Sequence, residues 1–536
     1  MATATADKHP KGLYVLFSTE MWERFSFYTM NGMVVLYVTN AVQGFGWSNA
    51  QATNVFSYYL MFVYASPLIG GYIADKWTGP RHAITVGGLF FMAGHLLLAV
   101  PKNVPIFYLA LTCLVIGNGF FKPNVSTMVG NLYPEGSHLK DRAYLIFYMG
   151  INIGAALAPI VAEFVQGRWG YHYAFAVAAF GMMISLAIFW GFQQHVRIAD
   201  KQRGKRGDFM KATGSVGNQD AIATAEDLPP VLNEKARAMA AVPESRRIMA
   251  LIVIFLIVIV FWMVFHQNSS TLTLWADDHT AWNVTGILSN AINPIWIILL
   301  SLPLAAFWGV LDRRGLEPST PAKMMIGMCL TGLSFIVLYF AAQSGGFTKP
   351  ALRVVKVDSP TQAWVTTSEE AKSYLKISAP QEAVPPGAGD KPEGAAPESA
   401  VQPVNAWRAT TTGPLEEGGF AGYEGEQGGT LQVSPTHKVS AWWLILAYGV
   451  LSLGELMLSP MGLSLVSQVA PMRWRGLMMG GWFLATAIGN KLTAIGNYWD
   501  LWSHSQFFII LASMALFMAI VLAVLLKPLK KAMPGV

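Results

Sequence analysis

Long apolar runs recur along this chain too often for a single water-soluble core to absorb them. A run of roughly 18 or more residues with few charges is long enough to carry a helix through a bilayer. Allowing scattered polar interruptions, such runs fall at about 13–41, 51–75, 82–100, 105–130, 142–165 and 173–194, and again at about 247–275, 284–310, 322–343, 439–465, 476–498 and 504–527. With 53% hydrophobic and only 13% charged residues over 536 positions, the expected fold class is all-α: a polytopic membrane protein of twelve transmembrane helices in two six-helix bundles. The implied domains are 1–194, a linker at 195–246 and 247–536, the last with an insertion at 344–438. The linker is basic and rich in Gly and Ala. The insertion is rich in Pro, Gly and Glu and reads as a flexible loop, although ALRVVKV and QAWVTT leave room for a small packed module.

The net charge of +6 is spread over short segments between apolar runs, which is a topological signal and excludes a nucleic-acid partner. Lys76 and Arg81, Lys140 and Arg142, the basic residues of 197–247, Arg313 and Arg314, Arg473 and Arg475, and Lys527, Lys530 and Lys531 fall on one side. Lys102 and Arg168 are the exceptions on the other. Both termini are therefore expected in the cytoplasm, with the chain multi-pass in the inner (plasma) membrane. The polar N-terminus and the charged first run do not fit a cleaved signal peptide. Cys113 and Cys329 lie in apolar runs and imply no disulfide framework.

Within the first run stands EMWERFSFY, Glu20 to Tyr28, where charges carry a cost in hydrocarbon. At about 100° per residue Glu20, Glu23, Arg24, Phe27 and Asn31 share one helix face, so the charges can turn together toward a wet interior. That stripe predicts one wall of a polar cavity. After the second run comes GGYIADKWTGPR, Gly70 to Arg81: glycines permit close helix approach, and Asp75, Lys76 and Arg81 can lock neighbouring helices by charge. This segment resembles the loop signature of the major facilitator superfamily, in which Asp75 and Arg81 would serve gating.

Together with EMWERFSFY, the chain resembles the proton-dependent oligopeptide transporters, whose first helix carries Glu-x-x-Glu-Arg-Phe-x-Tyr-Tyr. Glu20, Glu23, Arg24, Phe25 and Tyr28 match, and Phe27 replaces a tyrosine. GNGFFKPNVSTMVG with Lys122, FYMGINIGAALAP with Asn152, the Glu455 segment and MMGGWFLATAIGN with Trp482 resemble the same family. The resemblance implies alternating-access symport of di- and tripeptides with protons, by a protein functional as a monomer. Arg24 and Lys122 would hold the peptide carboxylate and Glu455 its amino group, with Tyr28, Tyr64, Asn152, Asn293, Trp482 and Phe483 around the pocket.

A zwitterion needs a cationic pole, an anionic pole and adaptable apolar walls, and the chain has all three. Other readings stay open residue by residue. Lys122 could merely neutralise Glu20 or Glu23, Glu455 could cap a helix break, and Tyr64, Trp482 and Phe483 are aromatics in an aromatic-rich chain. His266 stands before Gln267 where the family is often acidic. Three carboxylates against two cations leave room for one proton, so His266 and the Glu20/Glu23 pair are expected to share proton handling, against the plainer reading of His266 as a structural residue. A salt bridge from Lys122 to a first-helix carboxylate would couple the proton to the conformational change. His95 reads as structural, and Asp277 and Asp278 as a solvated rim.

No metal or cofactor motif is present, and no nucleophile or zinc signature supports an enzyme acting on a lipid-linked substrate. A receptor-like protein built on 344–438 competes less well. The alternative within transport is another small substrate on the same scaffold, such as nitrate, an amino acid or a drug-like molecule; Glu455 favours one bearing an amine.

Overall fold

The computed structural model describes residues 9–133, 139–200, 238–239, 241–380, 382–384, 404–471 and 474–534. The first half holds α1 (Lys11–Thr39), α2 (Asn49–Ile73), α3 (Pro80–Leu98), α4 (Val104–Asn131), α5 (Leu139–Trp169) and α6 (Tyr171–Gly191). Local signals set their ends. Ser48 and Gln51 close a capping box on α2, Asn103 caps α4, and Pro80 opens α3 after Gly79, whose φ of 75° suits glycine.

The second half holds α7 (Glu244–Phe265), α8 (Thr271–Asp278), α9 (Ser289–Arg313), α10 (Thr320–Ser344), a short α11 (Glu369–Leu375), α12 (Ala441–Val469), α13 (Arg475–Leu492) and α14 (His504–Ala532). Between α7 and α8 the helix tightens into a 3-10 turn, His266–Ser269, and breaks at Ser270. Among the described residues nine helical stretches are long and apolar enough to cross a bilayer. The helices α1, α2 and α13 also pack into the bundles, but composition alone does not carry them; α1 bears Glu20, Glu23 and Arg24.

Helix packing repeats between the halves. In the first, α1 packs on α5 and α6, α3 on α4 and α6, and α2 on α4; in the second, α7 packs on α13 and α14, α10 on α12 and α14, and α9 on α12. The halves meet where α2 lies on α13 and α5 on α9, so the pattern maps onto itself when the halves are exchanged. Glycines make the closest approaches possible: a Cβ on Gly70 of α2 would lie 2.0 Å from the Gly119 carbonyl oxygen of α4.

The described part of the insertion is folded rather than a flexible loop, and the Pro-, Gly- and Glu-rich run at 385–403 lies outside the described residues. ALRVVKV and QAWVT lie in β2 (Ala351–Ser359) and β3 (Gln362–Thr366); β4 (Glu382–Val384), β5 (Val404–Thr411), β6 (Phe420–Gln427) and β7 (Thr430–Pro435) complete a sheet of order β3-β2-β6-β7-β5-β4. Since β3 also pairs with β5, five strands close into a small barrel with β4 added at its side. Leu352, Val354, Val365, Trp407, Leu431 and Val433 fill it. A parallel pair, β1 (Thr280–Ala281) with β8 (Val439–Ser440), ties the barrel's root to the end of α8. There His279 packs against Phe347, Phe420 and His504, with ring centroids 4.5–4.6 Å apart. Most of the expected linker 195–246 lies outside the described residues; its first part, up to Asp200, packs back on the first half through Asn131 and Arg81.

Candidate functional site

The charged stripe of α1 is buried: Glu20, Glu23 and Arg24 are at most 3% exposed. Glu23 grips the Arg24 guanidinium with both oxygens, at 2.5 and 2.6 Å, and Glu20 lies 3.4 Å from it. Adjacent residues on a helix can meet this way because the long arginine stem folds back over its own turn. The guanidinium also donates to Asn118 Oδ1 at 3.4 Å, and Asn118 in turn donates to the Val63 carbonyl at 2.7 Å, tying α1, α2 and α4 together. Phe27, the departure from the tyrosine pattern, places its ring under Arg24 at 4.7 Å, so the lost hydroxyl is replaced by a cation–π contact.

Two expectations are corrected here. Both α1 carboxylates pair with Arg24, and Lys122 forms no ion pair among the described residues; the reach from its α4 position ends over the Tyr64 ring, 4.9 Å from the centroid. Arg24 and Lys122 are therefore not equivalent halves of one cationic pole: Arg24 is ion-paired within α1, whereas the Lys122 ammonium rests on the Tyr64 ring with no ion pair among the described residues. Its charge still acts on Glu20 and Glu23, which keeps the whole group electrostatically linked.

In the second half, Glu455 of α12 accepts from Asn293 Nδ2 of α9 at 3.0 Å, and the same amide donates to Ser452 Oγ at 2.9 Å. Glu455 sits close enough for its charge to act on Tyr28, Tyr64 and Tyr148 of the first half. Tyr64 is thus reached from both sides, by Lys122 of the first half and by the charge of Glu455 of the second. His266 begins the break after α7, its ring stacked on Trp262 at 5.2 Å and tilted against Tyr64 at 5.6 Å. Gln267 holds that break by donating to the Met263 carbonyl and to the Thr493 carbonyl beyond α13, both at 3.2 Å.

The other expected residues have the following neighbours. Trp482 is buried against Gly462 of α12 and Phe255 of α7, so it shapes the second bundle. Phe483 is half-buried against the helical core. Asn152 donates to the Tyr148 carbonyl of its own helix, and Tyr28 meets Phe27 edge-on at 5.3 Å. Asp75 is exposed. Arg81 pairs with Asp200 at 3.1 Å and donates to Gln193, so its described ion pair locks the end of α3 to the segment after α6. Asp277 and Asp278 are half-buried, and Asp277 accepts from the Gly286 backbone at 2.6 Å. His95 is buried and stacked on Phe91, as a packing residue would be.

Sequence reasoning passed over the contacts that join the halves at the barrel end. Glu163 of α5 accepts from the Thr285 backbone and hydroxyl at 2.7 and 2.5 Å. Asn49 donates to Asp500 at 2.9 Å, and Lys491 donates to Asn54 and Ser57 at 3.0 and 3.2 Å. The signal was available, because Glu163 and Lys491 are charges inside apolar stretches. Asp500, in the turn before α14, is pushed up to about 6 by burial, against the hydrogen bond from Asn49.

A family model, described as the POT family, matches residues 81–376 and 422–497, more than half of the chain. The chain belongs to the POT family. Its match omits α1 with its charged stripe and part of the barrel. Among POT relatives, the chain is 27% identical to the di-/tripeptide transporter of Lactococcus lactis subsp. lactis (strain IL1403), over 98% of this chain and 97% of that one. It is also 27% identical to an uncharacterized transporter, YclF, of Bacillus subtilis (strain 168), over 98% and 96%, and 26% identical to dipeptide and tripeptide permease A of Escherichia coli (strain K12), over 92% and 84%. A crystal structure of a POT peptide transporter in complex with alafosfalin superposes with a TM-score of 0.70 at 26% identity, covering 98% of this chain and 96% of that one. The fold is thus that of POT transporters, a membrane transport scaffold of apolar helices.

Proposed function

We propose that the protein is a proton-coupled symporter that imports di- and tripeptides across the inner membrane by alternating access, with both termini in the cytoplasm and the barrel outside. The observation that carries this reading is that the Lys122 ammonium lies over the Tyr64 ring while the Asn293-held Glu455 of the other half acts on the same tyrosine: a cation for the peptide carboxylate, an anion for its amino group. The peptide-transporter relatives support the substrate class. Tyr28 and Tyr64 line the space between the poles, and Asn293 aims the anion.

Coupling follows from the Glu23–Arg24 grip. A proton on Glu23 or Glu20 weakens it and releases Arg24 to join Lys122 on the substrate carboxylate, so proton and peptide favour each other's binding. The two acids of α1 then handle protons and Arg24 substrate, with His266 sharing the proton duty. With peptide and proton bound the charges of the site are balanced, which lowers the cost of closing it. The contacts at Glu163, Asp500 and Lys491 would be those that separate when the barrel end opens.

The test is uptake of a labelled dipeptide into liposomes with and without an imposed pH gradient, with Glu455→Ala alongside. Gradient-driven accumulation lost in Glu455→Ala is expected. An amino acid or other small amine accumulated in place of any dipeptide would favour the alternative substrate on the same scaffold.

A further inference from the structure

We infer that His266, beside Lys122, forms a subsite for a second carboxylate, so that the transporter prefers peptides carrying an acidic side chain over those carrying a basic one. This deepens the peptide reading and rests on it. The His266 residue is only 8% exposed, and among the described residues no group hydrogen-bonds either ring nitrogen; Nε2 is buried without a partner. A buried imidazole with nothing to bind is costly unless something arrives to satisfy it.

The electrostatics of the spot select what arrives. The charged group that acts on His266 is Lys122, and both reach the same aromatic ring: the Lys122 ammonium lies 4.9 Å from the Tyr64 centroid and the imidazole 5.6 Å from it. Glu20 and Glu23 act on Lys122 but are ion-paired with Arg24, and the charge that reaches His266 is that of Lys122. Glu455, the remaining buried anion, is held by Asn293 on the second half. An imidazole N–H next to an uncommitted ammonium therefore receives an anionic oxygen more readily than a cation. With the main-chain carboxylate of a peptide on Lys122, a side-chain carboxylate a few bonds away can reach His266. An ammonium at the same place would face Lys122, and among the described residues no carboxylate forms an ion pair there to hold it.

The experiment is exchange across liposomes at equal pH on both sides, which needs no proton drive. Labelled Ala-Ala is competed with Ala-Glu and with Ala-Lys, in the wild type, His266→Ala, His266→Asn and His266→Glu. A hydrogen bond to a charged group at a partly hydrated site is worth about tenfold in binding. The wild type should bind Ala-Glu about tenfold more tightly than Ala-Lys; the ratio should fall toward one in His266→Ala and His266→Asn and invert in His266→Glu. The last variant keeps a polar group at the helix break, so an inverted ratio is distinct from a misfolded site. An equal affinity of the wild type for both peptides, or an unchanged ratio in the variants, overturns the inference while leaving peptide transport standing. Exchange of none of the three peptides overturns both.

Discussion

Glu23→Gln removes the carboxylate that holds Arg24 at 2.5 and 2.6 Å. Buried hydrogen bonds to a charged group contribute about 1.5–3 kcal/mol each. Glutamine keeps one acceptor, however, and Glu20 remains 3.4 Å away, so the net loss is about 2 kcal/mol, short of the ~3–5 kcal/mol that follows from stranding a buried charge. The variant should fold, with an apparent melting temperature in detergent a few degrees lower. Its functional effect should be larger. On the proposed mechanism Arg24 stays engaged until a proton reaches the Glu20/Glu23 pair, so the KM for dipeptide exchange should rise with pH; 2 kcal/mol corresponds to roughly thirtyfold. In Glu23→Gln no proton is needed to release Arg24, and KM should be nearly flat between pH 6 and pH 8. Exchange measured at equal pH on both sides reads this without a driving force. A variant whose KM climbs with pH as steeply as the wild type would refute the reasoning, because Arg24 release would then owe nothing to Glu23.

Gly70→Ala drives a methyl group to 2.0 Å from the Gly119 carbonyl oxygen, whereas Gly71→Ala meets only the Pro123 ring at 3.5 Å; thermal unfolding in detergent should show a loss of about 3 kcal/mol or more for the first and little change for the second. Glu163→Ala deletes both bonds to Thr285 and should raise the population open at the barrel end by more than tenfold, read from distances between spin labels on α5 and α9. Because Asp500 is raised to about 6, its ionisation disfavours the folded state, and its contribution to stability is lost as pH rises from about 4 to about 6. Partial exposure limits the effect to about 1–2 kcal/mol. Asp500→Asn should flatten the melting temperature over that range, and an unaltered slope would mean that another group is responsible.

The helical membrane fold class and the charged stripe of α1 were legible because bilayer length and the cost of charge in hydrocarbon act locally on the chain. The partner of Arg24 was not: Glu20, Glu23 and Lys122 all stood within plausible reach, and only side-chain direction decides that the acids fold onto Arg24 while Lys122 turns to Tyr64. Likewise the composition of 344–438 pointed to a loop, since the barrel's core is carried by a few short alternating segments separated by polar turns. Its closure depends on β3 meeting β5 across some forty residues, a long-range pairing that local pattern does not encode. Trp482 was drawn toward the substrate by its motif, yet Gly462 leaves a notch that its ring fills. The barrel-end contacts of Glu163 and Lys491 were missed for a related reason: each is a lone charge whose partner lies on the other half.

The central claim is that a proton gradient drives import of a peptide held with its carboxylate at Lys122 and its amino group at Glu455. It is tested most directly by loading purified protein into liposomes and following a labelled dipeptide after an inward proton gradient is imposed. Accumulation above the external concentration, collapsing when the gradient is dissipated by a protonophore, is the predicted result. Equilibration to the external level alone, unaffected by the gradient, would contradict it.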